Sequence, residues 1–284
     1  MDLWFYHSLG TYEFDVRCEM LQQLGYDGML VMLWSEPAWA TVPRLGGVRE
    51  RFGIDVTSVF TYVEELGDAA HLRRIERLLR DELDGSRRLE LAILSGGEGV
   101  APSDPRGDER VLPVLERLLA AAEERSIELS LYPHESWWME RTEDAVRLCE
   151  RLAHPLLRVT FSAYHWYATD GRDLTATLAA AAPHLASANL SGATRVAGAV
   201  PAHHLLDEGE LDTFAVLGGL RDAGYEGPLH LLGYTVGGDV HAKLRRSLES
   251  VRELERRLDR HPAWARLSPD VFPYLPAVLE RDAP

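Results

Sequence analysis

Eight short apolar runs, each followed by a longer amphipathic stretch, recur along the whole chain. The longer stretches carry apolar residues at spacings of three and four, which is the pattern of a helix with one buried face. A strand that is followed by a helix and then by another strand returns in the same direction, so the alternation predicts a parallel sheet. The strands are predicted at 2–6, 28–33, 55–60, 90–94, 127–132, 157–161, 185–190 and 228–232.

Eight such units in 284 residues predict a closed TIM barrel of the α/β class, a (β/α)8 fold, rather than an open doubly wound sheet. The barrel is predicted over residues 1–260 as a single domain. A tail at residues 261–284, with aromatic residues spaced by prolines, is expected to pack on the barrel or to lie at an oligomer interface. The chain has no GxGxxG after its first strand and no GxxxxGKS/T, which removes the main support for nucleotide binding.

Composition excludes several classes of partner. The formal net charge is −15 at pH 7, whereas a nucleic-acid-binding surface needs basic residues that neutralise phosphates. The same charge disfavours anionic membrane surfaces, and no run approaches the roughly 20 apolar residues that cross a bilayer. Cys18 and Cys149 lie far apart in helical patterns, and no signal peptide is apparent. The expectation is a cytoplasmic protein that acts on a small molecule, with a homo-oligomer left open.

Polar and aromatic residues gather where the predicted strands end. In a TIM barrel, catalytic residues lie at the C-terminal ends of the strands and in the loops that follow them. Two of the richest clusters are within LYPHESWW and FSAYHW. The residues predicted to face the mouth of the barrel are His7, Trp34, Glu36, Tyr62, Glu98, Tyr132, His134, Glu135, Trp137, Trp138, Ser162, Tyr164, His165, Trp166, Asn189, Leu232 and Tyr234.

Strand parity predicts a polar barrel interior. Side chains alternate between the two faces of a strand, so every second residue points into the barrel. Buried polar side chains need hydrogen-bond partners, so such an interior is either a satisfied network or part of a ligand site. His230 is expected to be a satisfied core histidine. The polar residues at these inward positions of four successive strands are Ser130, Thr160, Ser162, Ser187, Asn189 and His230.

Four stretches of the sequence carry a resemblance to a known family: LGYDGMLVM, LYPHESWWMERTEDAVRLCERLAHPLLRVTF, AYH and LDEGELDTFAVLGGLRDAGYEGPLHLLGY. On these stretches the chain resembles the xylose isomerase-like TIM barrels, the sugar phosphate isomerase/epimerase family that includes the AP-endonuclease-type barrels. The resemblance runs through most of the chain. It implies a TIM barrel with a substrate site at its mouth.

The resemblance also implies a divalent metal, which similar enzymes hold with a glutamate, an aspartate, a histidine and a second glutamate. The matching positions of this chain carry Tyr132, Ser162, Asn189 and Leu232. A hard cation prefers carboxylate oxygens, and a leucine cannot bind it. The expectation is therefore a divergent member with no metal and no cofactor. His165 is retained, and it matches a family histidine that lies near the substrate.

Isomerisation and epimerisation remove a proton α to a carbonyl group, and the resulting enediolate must be stabilised. Without a metal, this stabilisation has to come from hydrogen-bond donors, for which Tyr132 and Asn189 are well positioned. His134 and His165 are the predicted acid/base residues because the reference pKa of histidine is near ~6.5, with Glu135 and Glu36 as reserve bases. The sequence thus predicts a metal-independent isomerase, epimerase or lyase.

Two alternatives stay open. The aromatic mouth suits a repurposed cyclase or lyase of secondary metabolism with a less polar substrate, and loss of the metal ligands suits a pseudoenzyme that binds a ligand or a protein. Trp137, Trp138 and Trp166 either stack on a sugar ring or pack over the barrel. Only scattered arginines, such as Arg141 and Arg195, lie near the predicted mouth, which does not favour a highly phosphorylated sugar.

Overall fold

The computed structural model describes residues 12–265, apart from residues 170, 172 and 197. The predicted strand at 2–6, the predicted site residue His7 and residues 266–284 of the predicted tail lie outside the described residues.

Nine strands lie in the described part of the chain. In chain order they are β1 (Gly28–Met32), β2 (Asp55–Val63), β3 (Arg88–Ile93), β4 (Glu128–Leu131), β5 (Leu157–Ser162), β6 (Leu185–Leu190), β7 (Gly192–Val196), β8 (Ala199–His204) and β9 (Leu229–Leu231). Seven of them form one parallel sheet in the order β1-β2-β3-β4-β5-β6-β9. The seven predicted strands from 28–33 onward coincide with this sheet to within three residues at either end.

The sheet curls into a nearly closed barrel. His230 lies on β9, the last strand of this order, and Thr57 lies on β2, the second, yet the Nε2 atom of His230 is 2.9 Å from the Thr57 Oγ1 atom. Each parallel pair is joined through helical segments, as a parallel sheet requires. The fold is therefore the predicted α/β TIM barrel.

Ten α-helices accompany the strands in the described residues. In α6, the buried Ala145, Leu148 and Cys149 recur at helical spacing, and the Asp144 carboxylate accepts the backbone N–H of Arg141 at 3.0 Å to cap the first turn. The helices are α1 (Phe14–Leu24), α2 (Glu36–Trp39), α3 (Val48–Phe52), α4 (Ala69–Arg77), α5 (Asp108–Glu123), α6 (Thr142–Leu152), α7 (Ala163–Ala168), α8 (Leu174–Ala181), α9 (Thr213–Asp222) and α10 (Val240–Arg260).

No helix in the described ranges is long and apolar enough to span a bilayer. The longest of them, α10, is rich in arginine and glutamate and buries one apolar stripe that includes Leu244, Val251 and Leu258.

A β-hairpin, which the sequence patterns do not predict, follows β6. Its strands β7 and β8 pair antiparallel, with Gly192 opposite His204 and Thr194 opposite Ala202. The β8 sequence AVPAHH contains small residues and a proline, which weakens its strand signal. The proline is tolerated because, among the described strands, β8 pairs with β7 alone and so has a free edge.

The barrel interior has an apolar part and a polar part. The polar part follows the predicted parity: the Thr160 Oγ1 atom lies 2.7 Å from the Ser130 Oγ atom and 2.8 Å from the Ser187 Oγ atom. The apolar part is a cluster separate from the main core between sheet and helices. It consists of Leu30, Met32, Phe60, Ala92 and Tyr132, with Trp34, Tyr62 and Trp137 packed against it.

Candidate active site

A cavity of about 750 Å³ opens at the C-terminal ends of the barrel strands. Its walls come from the ends of β1, β2 and β4, the loop after β4, α7, the β7–β8 hairpin and the loop after β9. This is the face of a TIM barrel on which catalytic residues are found. The lining residues are Met32, Trp34, Phe60, Tyr132, His134, Glu135, Trp137, Tyr164, His165, Val200, Pro201, His203, Leu232, Tyr234 and Thr235.

Two histidines and a glutamate form one polar cluster on the cavity wall. The Glu135 Oε2 atom lies 3.3 Å from the Nδ1 atom of His134 and 3.2 Å from the Nδ1 atom of His165. The loop after β4 folds back on itself, since the backbone N–H of His134 donates to the Met139 carbonyl at 2.9 Å. His165 enters from the first turn of α7. Two separate βα units thus bring the cluster together.

Hydrogen bonds identify the protonation pattern of this cluster. The Nδ1 atom of His134 lies 2.9 Å from the Glu135 backbone carbonyl, which only an N–H can satisfy, so the Nε2 atom of His134 keeps its lone pair. The Nδ1 atom of His165 accepts the Glu135 backbone N–H at 3.3 Å. Because this nitrogen accepts that N–H, it carries no proton, so its 3.2 Å contact with the Glu135 carboxyl group is favourable when the carboxyl group is protonated.

Burial sets the pKa values of the cluster. It lowers the pKa of His165 to about 3, and it lowers the pKa of His134 to about 3, to which the neighbouring His165 adds. Burial raises the pKa of Glu135, against a smaller lowering by His134. The histidines are therefore neutral near pH 7, and the glutamate is a stronger base than an exposed carboxylate.

The hairpin supplies one cavity wall that the sequence analysis missed. His203 on β8 stacks on Tyr164, with ring centroids 3.4 Å apart and ring planes 15° apart. The Tyr164 hydroxyl donates to the Pro201 carbonyl at 2.7 Å. Burial lowers the pKa of His203 to about 3, and the facing His165 and His134 add to this effect. The pair of histidines at 203 and 204 was the available signal, but no strand end was predicted there.

The opposite side of the cavity is aromatic. The Trp34 ring centroid lies 5.1 Å from that of Phe60 and 6.1 Å from that of Trp137. Trp137 in turn stacks on His134 at 4.2 Å with an interplanar angle of 18°. We call Trp34, Phe60 and Trp137 the aromatic wall. It is continuous with the polar cluster through this stacked pair.

The structure brings together nine of the predicted mouth residues around the cavity. Predicted residues Ser162 and Asn189 are instead buried, and neither lines it. The Asn189 Oδ1 atom lies 2.9 Å from the His230 Nδ1 atom, which agrees with the prediction of a satisfied core histidine. The nine are Trp34, Tyr132, His134, Glu135, Trp137, Tyr164, His165, Leu232 and Tyr234.

Two predicted tryptophans lie in the core and do not line the cavity. The Trp138 ring packs against Gly96 and Gly107, where a Cβ atom would approach it to 2.5 and 2.4 Å, and its Nε1–H donates to the Asp104 carbonyl at 3.0 Å. Trp166 is buried and packs against Gly171. For these two residues the structure supports packing within the protein rather than stacking on a sugar ring.

Three further predicted residues also lie away from the cavity lining. Glu36 is exposed and pairs with Arg74, whose hydrogen bond to the carboxylate lowers the pKa of Glu36. Glu98 is exposed on the loop after β3. Tyr62 stands behind the aromatic wall, with its ring centroid 5.0 Å from that of Trp34. Register and loop direction, which sequence spacing leaves undetermined, explain these placements.

The usual metal of similar enzymes does not fit its expected place. At the four matching positions, Leu232 has no ligand atom, and the buried Ser162 and Asn189 do not reach the cavity. Within the described ranges, a different group of three has ligand atoms that all lie within 4.8 Å of one another: His134, Glu135 and His165. Two imidazoles and one carboxylate could hold a transition-metal ion, which would act there as a Lewis acid.

Known proteins place this barrel in a family. The chain matches the xylose isomerase-like TIM barrel family over residues 18–254. No curated protein matches the chain. Among solved structures, it resembles an L-ribulose 3-epimerase, with a TM-score of 0.73 at 14% identity over 95% of this chain and 98% of that one.

Two further structures show the same fold. The 3-keto-D-glucoside 4-epimerase of E. coli gives a TM-score of 0.68 at 17% identity, covering 87% of this chain and 97% of that one. The D-allulose 3-epimerase of Methylomonas sp. gives 0.69 at 14% identity, covering 89% and 96%. At these identities the likeness concerns the fold. Because the family match spans most of its length, the chain belongs to the xylose isomerase-like TIM barrel family.

Proposed function

We propose that the protein is an isomerase or epimerase that moves a proton on a small hydroxy-carbonyl substrate, without a metal at the usual place in its family. The observation that carries this proposal is the Glu135 carboxyl group, which lies within 3.3 Å of two imidazoles on the wall of a 750 Å³ cavity. The epimerases among the structures of the same fold support this class of reaction.

Glu135 is the proposed general base. A base works best when its pKa approaches the working pH, and burial moves the pKa of Glu135 in that direction. Burial moves the pKa values of His134 and His165 the other way, to about 3, which makes the neutral rings weak bases. The pKa directions thus favour Glu135, a residue ranked as a reserve base from sequence.

The proton transfer would proceed in two steps. The Glu135 carboxylate takes the proton from the carbon α to the carbonyl group, and the C–H electron pair moves to form the enediolate. Return of this proton from Glu135 to the neighbouring carbon, with O–H proton exchange between the two enediolate oxygens, gives an isomer. An epimer forms when a solvent proton instead reaches the opposite face of the first carbon and Glu135 gives up its own proton to solvent. The Nδ1 atom of His165, 3.2 Å from the Glu135 carboxyl group, is placed to hold that group in position once it carries the proton.

Hydrogen-bond donors would stabilise the enediolate. Tyr132 lines the cavity, and its ring centroid lies 5.5 Å from that of His165. One well-placed donor contributes about 10²–10³ in rate. Asn189, the other predicted donor, does not line the cavity, so Tyr132 carries more of this role in the proposal.

Deuterium exchange in D₂O tests the proposal without knowledge of the product. NMR spectroscopy would follow loss of the α-proton signal from a panel of ketoses and keto-glycosides. We expect exchange with the wild type and a loss of about 10²–10⁴ with Glu135→Gln, the range for general-base removal. Glu50→Gln, on the exposed surface of α3, is the matched control. Equal exchange by both variants would remove Glu135 from the mechanism.

Chelation tests the metal-independent part of the proposal. We expect elemental analysis to find no stoichiometric metal and exchange to survive EDTA. If EDTA abolished exchange and Zn²⁺ or Mn²⁺ restored it, the His134, Glu135 and His165 group would be a metal site instead.

A lyase or cyclase that acts on a less polar substrate is the second candidate. The aromatic wall favours it, because three of the lining residues are large apolar rings. In the same experiment, a product that has lost water or another leaving group would favour this candidate. Recovery of the ketose with deuterium in place of the α-proton would favour the isomerase.

A further inference from the structure

The cavity has two chemically different halves. One half holds the polar cluster of His134, Glu135 and His165, and the other holds the aromatic wall. The aromatic wall belongs to a hydrophobic cluster that is separate from the main core and adjoins the cavity. Trp34 and Trp137 are only partly buried, so their rings present free surface. A monosaccharide could stack the C–H face of its ring on one of these side chains, but it would leave the rest of this apolar surface without an apolar partner.

Charge limits the ligand further. Among the described residues, no lysine or arginine lines the cavity. Glu135 supplies a carboxyl group to the lining, and that group already contacts two imidazoles. A phosphate group would meet no lysine or arginine side chain from the described lining and would lose its hydration, which is costly for a charged group. The chemistry of the cavity therefore suits a neutral ligand.

Cavity size is consistent with more than one ring. Covalently bonded atoms take less room than the ~30 Å³ of a water molecule in the liquid, so the twelve non-hydrogen atoms of a hexose would fill less than roughly 360 Å³. The cavity measures about 750 Å³. A second ring therefore has room beside the reacting one.

We infer that the aromatic wall is a subsite for an aryl substituent, and that the substrate is a neutral molecule that joins such a ring to a hydroxy-carbonyl unit. This inference rests on the proposed function for the reacting half and adds the chemical class of the other half. Trp137 connects the two halves, because it stacks on His134. An aryl ring on the wall would therefore sit directly beside the reacting carbon. Aromatic rings gain from offset or edge-to-face contacts beyond their buried area, which suits a ring bordered by Trp34 and Trp137.

Binding of two unreactive probes tests the inference. Phenyl β-D-glucopyranoside and methyl β-D-glucopyranoside share the sugar and differ in the substituent. By titration calorimetry we expect the phenyl compound to bind at least about tenfold more tightly. Trp34→Ala should remove this preference, and Trp34→Leu, which keeps an apolar side chain, should retain part of it. Glucose 6-phosphate should not compete.

The control is Trp264→Ala, which removes an exposed tryptophan at the end of the described chain, away from the cavity. It should leave the phenyl preference unchanged. Equal affinity for the two glucosides, or a phenyl preference that survives Trp34→Ala, would overturn the inference. The two proposals fail separately: a phenyl preference without deuterium exchange on any substrate would leave the subsite standing and remove the isomerase proposal.

Discussion

The barrel holds two groups that each pair a glutamate with histidine, one at its mouth and one in its interior. At the mouth, Glu135 contacts His134 and His165 and borders the cavity. In the interior, the Glu90 carboxyl group lies 3.5 Å from the Nδ1 atom of His230, and both residues are buried. Burial raises the pKa of both glutamates and lowers the pKa of the histidines in both groups. The two groups thus contain the same residue types, and burial shifts the pKa values of these residues in the same directions.

The two groups differ in access. Ser58, Ser187 and Asn189 surround the Glu90 carboxyl group, yet neither of its oxygens has a hydrogen bond of ordinary length to a described residue. Glu90 also does not line the cavity. A perturbed pKa is therefore a poor guide to function here, since desolvation alone produces it in both places. What distinguishes Glu135 is that a substrate can reach it.

The sharpest test exchanges the two carboxyl groups for amides. Glu135→Gln should lower turnover by about 10²–10⁴, because it removes the base while it keeps the shape of the side chain. Glu90→Gln should leave turnover within a few-fold of the wild type, because no substrate reaches it. Deuterium exchange measures both, and circular dichroism checks that each variant is folded. A large loss from Glu90→Gln alone would reverse the assignment of the two groups.

The same comparison shows how far sequence reasoning goes. The parallel strands follow from apolar runs between amphipathic helices, and the cavity residues from their place after strand ends. Trp137 and Trp138 show the limit, because both follow β4, yet one lines the cavity and the other packs on Gly96 and Gly107. Loop direction decides between them, and residue spacing does not encode it.

His203 shows a second limit. It reaches the cavity because β8 pairs with β7 and its ring stacks on Tyr164. Both contacts depend on how the hairpin folds over the barrel, and the small residues and proline of β8 give no strand pattern. Glu90 was within a predicted strand, but only the closed barrel shows that its side chain lies beside His230.

Acid should destabilise the protein through the two histidines of the mouth group. The folded-state pKa values of His134 and His165 are about 3, below the ordinary value of ~6.5 in an unfolded chain. Their contribution is therefore complete above about pH 6.5 and declines as the pH falls toward 3. The expected slope is about 1.4 kcal/mol per pH unit for each histidine, because the unfolded state takes up the proton.

Urea unfolding between pH 8 and pH 4 measures this slope. His165→Asn should lower this slope by about 1.4 kcal/mol per pH unit, because the side chain at position 165 no longer takes up a proton in the unfolded state. Gln23→Asn on the exposed surface of α1 removes no titratable group, so it is the control and should leave the slope as in the wild type. An unchanged slope in His165→Asn would show that His165 is protonated in the folded protein at these pH values.

The glutamate of the interior group should respond to pH in the opposite direction from the two histidines at the mouth. Burial raises the pKa of Glu90, so the stability that its protonated form contributes is present below the unfolded value of about 4.3 and is lost as the pH rises through the folded pKa. Glu90→Gln is neutral throughout, so its stability relative to wild type should increase between pH 5 and pH 8, by roughly 1–3 kcal/mol. Urea unfolding at both pH values gives the difference. A variant that became relatively less stable at pH 8 would mean that Glu90 is ionised and paired with His230.

The smallest expected effect comes from two tyrosine hydroxyl groups, one at the mouth and one at the opposite end of the barrel, which make similar hydrogen bonds. The Tyr164 hydroxyl donates to the Pro201 carbonyl at 2.7 Å, and the Tyr225 hydroxyl donates to the Pro228 carbonyl at 2.6 Å. Tyr164→Phe and Tyr225→Phe should each cost about 1 kcal/mol of unfolding free energy, the usual value of one hydrogen bond. Only Tyr164→Phe should also raise KM, by a few-fold, because the bond that it removes holds the hairpin wall of the cavity. A similar rise in KM for Tyr225→Phe would mean that the opposite end of the barrel is coupled to the mouth. Access of the substrate alone would then no longer explain which residues affect turnover.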